Sequence, residues 1–150
     1  MSKLLIVLTA LSLLSCSTAS FKEMPVKDIV AKSKKNIHKW ASTEFEVKST
    51  GVGVHSQDRG IWFLNSELSY RSSKSLNVRL STEVVKKFKD QYHIDSVAGL
   101  EGKKIKVVGT ATPKRFCVRK GCPIGAGLNK PAMYIQTQML IEDIRNIELL

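Results

Sequence analysis

The side chains that most often carry catalysis are few in this sequence and widely spaced. Its histidines, His38, His55 and His93, offer no metal-ligand spacing, and neither a P-loop nor a G-x-S-x-G nucleophile motif occurs. The acidic residues fall in separate turn, helix and terminal segments, so they predict no general acid–base pair. The sequence therefore favours a binding protein over an enzyme, and it predicts neither a cofactor nor a resident metal.

Basic side chains are abundant. The chain has 24 Lys and Arg against 13 Asp and Glu, a formal charge of +11, and residues 103–120 contain seven basic residues and no acid. Such an excess suits an anionic partner: nucleic acid, a phosphate-rich membrane surface or an acidic polymer. Composition alone does not choose among these partners.

The N-terminus has the layout of an export signal. Lys3 precedes an apolar run that is too short to span a bilayer, and no acid occurs before Cys16. The segment Leu13-Leu14-Ser15-Cys16 resembles the lipobox of bacterial lipoproteins, in which the signal is removed and the cysteine is acylated. This resemblance implies a signal peptide over residues 1–15, acyl chains such as palmitate on Cys16, and a tether over residues 16–24. The alternative is an ordinary secretory signal with an incidental cysteine.

The residue after the cysteine bears on location. Ser17 stands where an aspartate would favour the inner membrane, by resemblance to the enterobacterial sorting rule. We therefore expect a lipid-anchored protein of the cell envelope, held in the outer membrane and facing the periplasm.

The other two cysteines, Cys117 and Cys122, are separated by four residues. Because an exported protein meets an oxidising compartment, we predict a disulfide between them. A zinc site is the alternative, although no histidine or second cysteine pair lies near them in sequence.

Periodicity predicts two helices and several strands. Residues 25–40 place apolar side chains at helical spacing opposite a row of lysines, which predicts an amphipathic helix packed on the domain; the alternative is a helix lying on the membrane. Ser81 or Thr82 is expected to cap a second helix that buries Val84, Val85 and Phe88 and ends near His93. Alternation predicts strands at residues 44–54, 61–64, 76–80, 103–110 and 133–137, with residues 141–150 closing the domain.

This order of elements, three strands, a helix and two strands, predicts a mainly β, five-stranded OB-fold barrel over residues 41–150. Gly51 and Gly53 would allow the first strand to coil sharply. The stretches 60–65, 100–109 and 144–149 also resemble bacterial OB-fold proteins of the nucleic-acid-binding type, with an insertion at the two cysteines. That resemblance implies a barrel that binds its ligand on the face of its second and third strands.

Alternation along the strands assigns the two faces of this barrel. Leu76, Val78, Leu80, Ile105, Val107 and Ile135 are predicted to point inward, and Asn77, Gln136 and Gln138 outward with the basic residues. Trp62 and Phe63 face opposite ways, so one of them is expected outside the core. The candidate ligand-binding residues are Arg59, Trp62, Arg79, Lys104, Lys106, Lys114, Arg115, Arg119, Lys120 and Tyr134.

The hypothesis that follows is a lipid-anchored envelope OB-fold module whose basic face binds an anionic ligand, such as single-stranded nucleic acid, or a partner. A positive groove with aromatic platforms suits that ligand. One alternative is a nuclease-like enzyme or enzyme accessory. Another is a structural lipoprotein that recognises a protein partner.

Overall fold

The computed structural model describes residues 21–37, 40–117 and 133–150. The predicted signal peptide, Cys16, Cys122, Arg119 and Lys120 lie outside the described residues. The described part contains two α-helices, two 3₁₀ turns and seven strands. In chain order these are α1 (Val26–Lys34), β1 (Trp40–Glu46), β2 (Ser49–Val52), β3 (Trp62–Asn65), β4 (Leu76–Leu80), α2 (Thr82–Tyr92), a 3₁₀ turn (Val97–Leu100), β5 (Lys104–Cys117), β6 (Met133–Ile141), a 3₁₀ turn (Ile144–Asn146) and β7 (Ile147–Leu149).

The strands form one sheet in the order β1-β5-β6-β4-β3-β2, and β7 also pairs with β5. Neighbouring strands are antiparallel except β4 and β6, which are parallel. A mainly β fold is therefore confirmed, with one helix between β4 and β5 in the chain. The structure differs from the predicted five-stranded closed barrel in two respects. Seven strands are present, and within the described residues no ladder joins β1 to β2.

The predicted first strand is divided at Val47 and Lys48. Val47 exchanges backbone hydrogen bonds with the turn before β5, donating to the Lys103 carbonyl at 2.8 Å and accepting from Gly102 N at 2.8 Å. Lys48 N instead donates to the Asn65 carbonyl of β3 at 2.9 Å. The chain thus changes its partner from one end of the sheet to the other within two residues. Alternation in sequence could not reveal this break, because it is caused by pairing partners distant in the chain.

The core lies on one side of the alternating strands. Leu76, Val78, Leu80, Ile105 and Val107 are buried as predicted, and they pack with residues of α2 and β6 in one cluster. The inward assignment of Ile135 is wrong, because Ile135 is exposed. Asn77 and Gln136 are buried although they lie on the outer side of the sheet as predicted: Gln136 Nε2 bonds to the Tyr70 carbonyl of the β3–β4 loop, and Asn77 Nδ2 to the Thr137 carbonyl of β6.

Helix α2 begins and ends where the sequence predicts. The Ser81 Oγ accepts a hydrogen bond from Val84 N at 3.3 Å, which satisfies one of the free N–H groups at the helix start. At the other end His93 has a left-handed φ of 53°, and the chain leaves the helix there. Val84, Val85 and Phe88 are buried, so the amphipathic face of this helix completes the core.

Helix α1 is shorter than predicted. It ends at Lys34, and Asn36 adopts a φ of 56° that turns the chain, so Trp40 belongs to β1 and not to the helix. Its Ile29, Val30 and Ser33 are buried against the domain, as expected for a packed helix. Within the described residues, neither α-helix has the length and apolarity needed to cross a bilayer.

Candidate functional site

A cleft of about 310 Å³ lies on the outer face of the sheet, opposite the core. Its floor comes from alternate residues of β3, β4 and β6, whose intervening residues, apart from the exposed Ile135, are buried. The β2 strand, the end of β5 and Tyr70 of the β3–β4 loop form its walls. The lining residues are Thr50, Gly51, Val52, Phe63, Asn65, Tyr70, Asn77, Phe116, Tyr134, Gln136 and Gln138.

Two stacked aromatic rings form one wall of this cleft. Phe116 of β5 and Tyr134 of β6 are direct cross-strand partners, and their ring centroids are 5.6 Å apart with the planes inclined by 25°. Phe63 lines the cleft from β3. Aromatic faces on more than one wall are suited to hold a flat ring by stacking.

An arginine lies between two of the tyrosines. The Arg71 guanidinium carbon lies 5.3 Å from the Tyr70 ring centre and 5.4 Å from the Tyr134 ring centre. Arg71 Nε also donates a hydrogen bond to the Tyr70 hydroxyl at 2.9 Å, and this bond raises the pKa of Arg71. Burial raises the pKa of Tyr134, so its hydroxyl remains protonated, and able to donate a hydrogen bond, to a higher pH than usual. Arg71 therefore places a permanent positive charge beside the aromatic wall.

Four side-chain amides line the cleft floor. Gln138 Nε2 donates to Gln136 Oε1 at 3.1 Å, and Gln136 Nε2 donates to the Tyr70 carbonyl at 3.1 Å. Asn65 Nδ2 donates to Ser49 Oγ at 3.2 Å, whereas Asn65 Oδ1 is buried and has no hydrogen-bond partner among the described residues. A buried acceptor without a partner is costly. A ligand with an N–H or O–H group that reached Asn65 would remove this cost.

The predicted cations Lys104 and Lys106 lie far from the cleft. Both face Glu44 of β1: Lys104 Nζ is 2.8 Å from Glu44 Oε2, and Lys106 Nζ is 4.0 Å from Glu44 Oε1. The hydrogen bond between Lys104 and Glu44 lowers the pKa of Glu44 and raises that of Lys104. Along β5 these lysines are ten and twelve residues before Phe116, a strand length of at most roughly 33–40 Å at ~3.3 Å per residue. They form a separate surface whose charge is partly neutralised.

Arg79 is on the same side of the sheet as the cleft and beside it, but it is paired. Its guanidinium forms a salt bridge of 2.5 Å to Asp58 in the β2–β3 loop, and its Nε is buried with no hydrogen-bond partner in the described part. Arg59, next to Asp58, is exposed on the same loop. The positive charge of Arg79 is therefore largely cancelled at the rim of the cleft.

Lys114 and Arg115 are exposed near the end of β5 and point to opposite sides of the strand. Lys114 is the cross-strand partner of Gln136 and so lies on the cleft side, whereas Arg115 is paired with the exposed Ile135. Of the predicted cations that the structure describes, Lys114 and the partly neutralised Arg79 are therefore near the cleft. Arg79, Lys104, Lys106 and Arg115, predicted to lie on one binding face, are not brought together, and Arg119 and Lys120 lie outside the described residues.

The predicted aromatic residues are divided between core and cleft. Trp62 is buried, with 5% of its surface exposed, so Phe63 and not Trp62 faces the cleft. Tyr134 lies where the prediction places it. Phe63 and Asn65 could have been assigned to the cleft from alternation in β3. Tyr70, Arg71 and Phe116 come from a loop and a strand end that carry no periodic signal, and sequence analysis missed them.

The acidic residues are not brought together with histidine or cysteine into a metal-binding group. Among residues 21–37, 40–117 and 133–150, no cluster of three or more such side chains could hold a metal ion. Asp58, beside the cleft, is instead paired with Arg79, and Glu101 accepts hydrogen bonds from Thr50.

Comparison with protein-family models finds no match, and comparison with curated proteins finds none either. Among solved structures, a protein assigned as an aspartyl-tRNA synthetase from Leishmania major Friedlin aligns with a TM-score of 0.44 and 12% sequence identity. The alignment covers 91% of this chain and 22% of that protein. The chain thus spans about a fifth of the length of the structure that it matches.

Proposed function

We propose that the sheet is an OB-type barrel in which β1 and β2 are the two halves of one bent strand. The strand order supports this proposal, because the two ends of the hydrogen-bonded path are consecutive in the chain. The parallel pairing of β4 with β6 and the position of α2 before β5 agree with it. The cleft then lies on the face where OB barrels usually bind ligands.

We propose that the protein is an envelope binding module whose cleft accepts the bases of a single-stranded nucleic acid. The observation that carries this proposal is the stacked pair of Phe116 and Tyr134 above a floor of side-chain amides. Every base has a flat face that can stack on these rings. Base edges carry donors and acceptors that Asn and Gln amides can pair with.

The phosphates of such a ligand would lie near Arg71, Lys114 and Arg79. Only two or three phosphates would be neutralised, and Arg79 is already engaged by Asp58. For a single strand the logarithm of affinity falls by about 0.7 per neutralised phosphate for each tenfold rise in salt, so we expect a slope of about −2. Stacking, at about 1–3 kcal/mol per base, is the larger contribution in this proposal.

A fluorescence-anisotropy titration with a labelled single-stranded oligonucleotide tests this function. We expect Tyr134→Ala to weaken binding by about 5- to 150-fold, the equivalent of 1–3 kcal/mol for one lost stack. Lys104→Ala is the control, because that lysine lies at the other end of β5, and we expect it to leave affinity unchanged. Thermal unfolding of both variants checks that they remain folded. Equal losses in the two variants, or no binding by the parent protein, would contradict the proposal.

A second candidate ligand is an uncharged glycan. The favouring observation is that, among the residues that the structure describes, none of those lining the cleft is charged. Aromatic faces combined with amides also suit sugar rings, and OB barrels bind oligosaccharides as well as oligonucleotides. Salt dependence separates the two ligands, because glycan binding would show a slope near zero.

We also propose that Cys16 carries the acyl chains of a lipoprotein anchor and that Cys117 and Cys122 form a disulfide. The lipobox and the oxidising envelope support these two proposals. Two or three acyl chains would give a lasting anchor, whereas one holds a protein only marginally. Intact mass of the purified protein, with and without reduction, measures both modifications.

A further inference from the structure

Phe21 and Trp40 form an exposed aromatic pair at the beginning of the described structure. Their ring centroids are 5.4 Å apart with the planes inclined by 27°, and 53% of the Trp40 surface is exposed. The pair is held in place by the backbone. Ser42 N donates to the Lys22 carbonyl at 3.2 Å, and Met24 N donates to the Ser42 carbonyl at 2.8 Å. These bonds fix the segment after Phe21 along β1.

Ile37 is a third exposed apolar side chain in this region. Asn36 adopts a left-handed φ after α1, and Ile37 N bonds back to the Lys32 carbonyl at 3.0 Å. Ile37 lines a shallow groove with Met24 and Ala41, whereas the neighbouring Trp40 side chain points to the opposite side of β1. We therefore call Phe21 and Trp40 alone the aromatic patch.

Unpaired lysines accompany the aromatic patch. Residues 21–37 contain five lysines and two acids, and none of these lysines forms an ion pair with any residue that the structure describes. This differs from Lys104 and Lys106, which Glu44 neutralises. The five residues are Lys22, Lys27, Lys32, Lys34 and Lys35. Lys22 directly follows Phe21 and Lys32 lines the groove of Ile37, whereas Lys27 and Lys34 line a separate pocket beside Glu67 and Lys74. Free positive charge at Lys22 and Lys32 near exposed apolar side chains suits a surface that is itself anionic and apolar.

We infer that the aromatic patch docks onto an anionic phospholipid surface, with its rings at the level of the headgroups. This inference rests on the lipid anchor of the proposed function. Cys16 is five residues before Phe21, so the acylated cysteine lies within about 18 Å of the patch at ~3.6 Å per residue. The anchor therefore holds this end of the domain against the bilayer.

The chemistry of the patch favours a membrane over a second copy of the chain. A tryptophan ring has an apolar body and one N–H donor, and it is enriched at the membrane interface. Lysines next to such a ring are attracted by the negative potential of anionic lipids. Two copies of a chain with this excess of basic residues would instead bring like charges together at a patch that adjoins Lys22.

The two tryptophans of the chain provide the test, because Trp40 is exposed and Trp62 is buried. The full, acylated protein is reconstituted into vesicles of phosphatidylglycerol and phosphatidylethanolamine that contain lipids with brominated acyl chains, which quench nearby indoles. We expect the parent protein to lose much of its fluorescence and the Trp40→Phe variant to lose little. A Trp62→Phe variant, which retains Trp40, should lose most of its emission. If this variant does not fold, the difference in quenching between the parent and Trp40→Phe gives the quenching of Trp40. Replacing phosphatidylglycerol with phosphatidylcholine should reduce the quenching of Trp40.

A tryptophan at another exposed position is the matched control. Val54 is exposed in the β2–β3 loop, and Val54→Trp in the Trp40→Phe background should remain unquenched. Equal quenching at positions 40 and 54, or none at position 40, would overturn the inference. Intact mass separates this failure from that of the anchor: acylated protein with unquenched Trp40 refutes the docking alone, whereas a Cys16 without acyl chains refutes both.

Discussion

The two halves of β5 carry similar numbers of basic residues but present different surfaces. In the first half, Lys104 and Lys106 face Glu44 on β1 and are partly neutralised. In the second half, Phe116 stacks on Tyr134 and Lys114 lies beside Gln136, on the cleft side of the sheet. The same strand therefore contributes to an ion-paired exterior at one end and to an aromatic, amide-lined cleft at the other.

This difference shows that a run of basic residues does not by itself define a binding surface. What matters is the cross-strand neighbour: β1 supplies a carboxylate, whereas β6 supplies an aromatic ring and amides. An exposed ion pair contributes little to stability, and its charges are less available to a ligand. The cleft is the better candidate for recognition although the described part of its lining carries no formal charge.

The largest expected effect comes from a substitution near the cleft that leaves the ion pairs of Glu44 with Lys104 and Lys106 intact. A Cβ added at Gly53 would lie 1.9 Å from the Asp58 carbonyl oxygen, whereas one at Gly51 would meet nothing closer than 3.9 Å. We expect Gly53→Ala to lower the free energy of unfolding by about 1–3 kcal/mol, since the backbone of the loop must move. Gly51→Ala should change it by no more than about 0.5 kcal/mol. Urea unfolding followed by circular dichroism measures both, and equal effects would refute the close approach.

A smaller effect on affinity is expected when a paired basic residue is freed from its acidic partner. Asp58→Asn removes the carboxylate that neutralises Arg79 beside the cleft. We expect single-stranded oligonucleotides to bind about two- to fivefold more tightly, since an exposed pair of charges is worth up to ~1 kcal/mol. Glu44→Gln frees two lysines at the far end and should leave affinity unchanged. If Glu44→Gln gave the larger gain, the ligand would bind at the other end of β5.

The smallest expected effect concerns the pH dependence of the ion pair between Glu44 and Lys104. The hydrogen bond from Lys104 lowers the pKa of Glu44 from 4.5, so the folded state holds this carboxylate ionised to a lower pH than the unfolded state does. Its contribution to stability is present above pH 4.5 and is lost as pH falls through the lowered pKa. In an NMR titration of the side-chain carboxyl, Lys104→Met should move the Glu44 midpoint up towards 4.5. An unchanged midpoint would mean that the ion pair does not persist in solution.

Much of the fold could be predicted from periodicity. The alternation of Leu76, Val78 and Leu80 and the cap at Ser81 place β4 and α2 correctly, because local spacing decides which face of an element is buried. The division of the first strand at Val47 could not be predicted, since it depends on the backbone hydrogen bonds of Val47 to Lys103 and of Lys48 to Asn65. The aromatic wall was predicted only at Tyr134, because Phe116 approaches it through strand pairing and Arg71 through a loop.

The sequence by itself determined the positive charge and most of the order of strands and helices, since these follow from composition and from spacing between near neighbours. Only the tertiary structure decided which cations are neutralised and which rings meet. The contacts at the two ends of β5 join residues 18 positions apart, Phe116 with Tyr134, and 60 positions apart, Glu44 with Lys104, and local sequence carries no record of the register that brings them together.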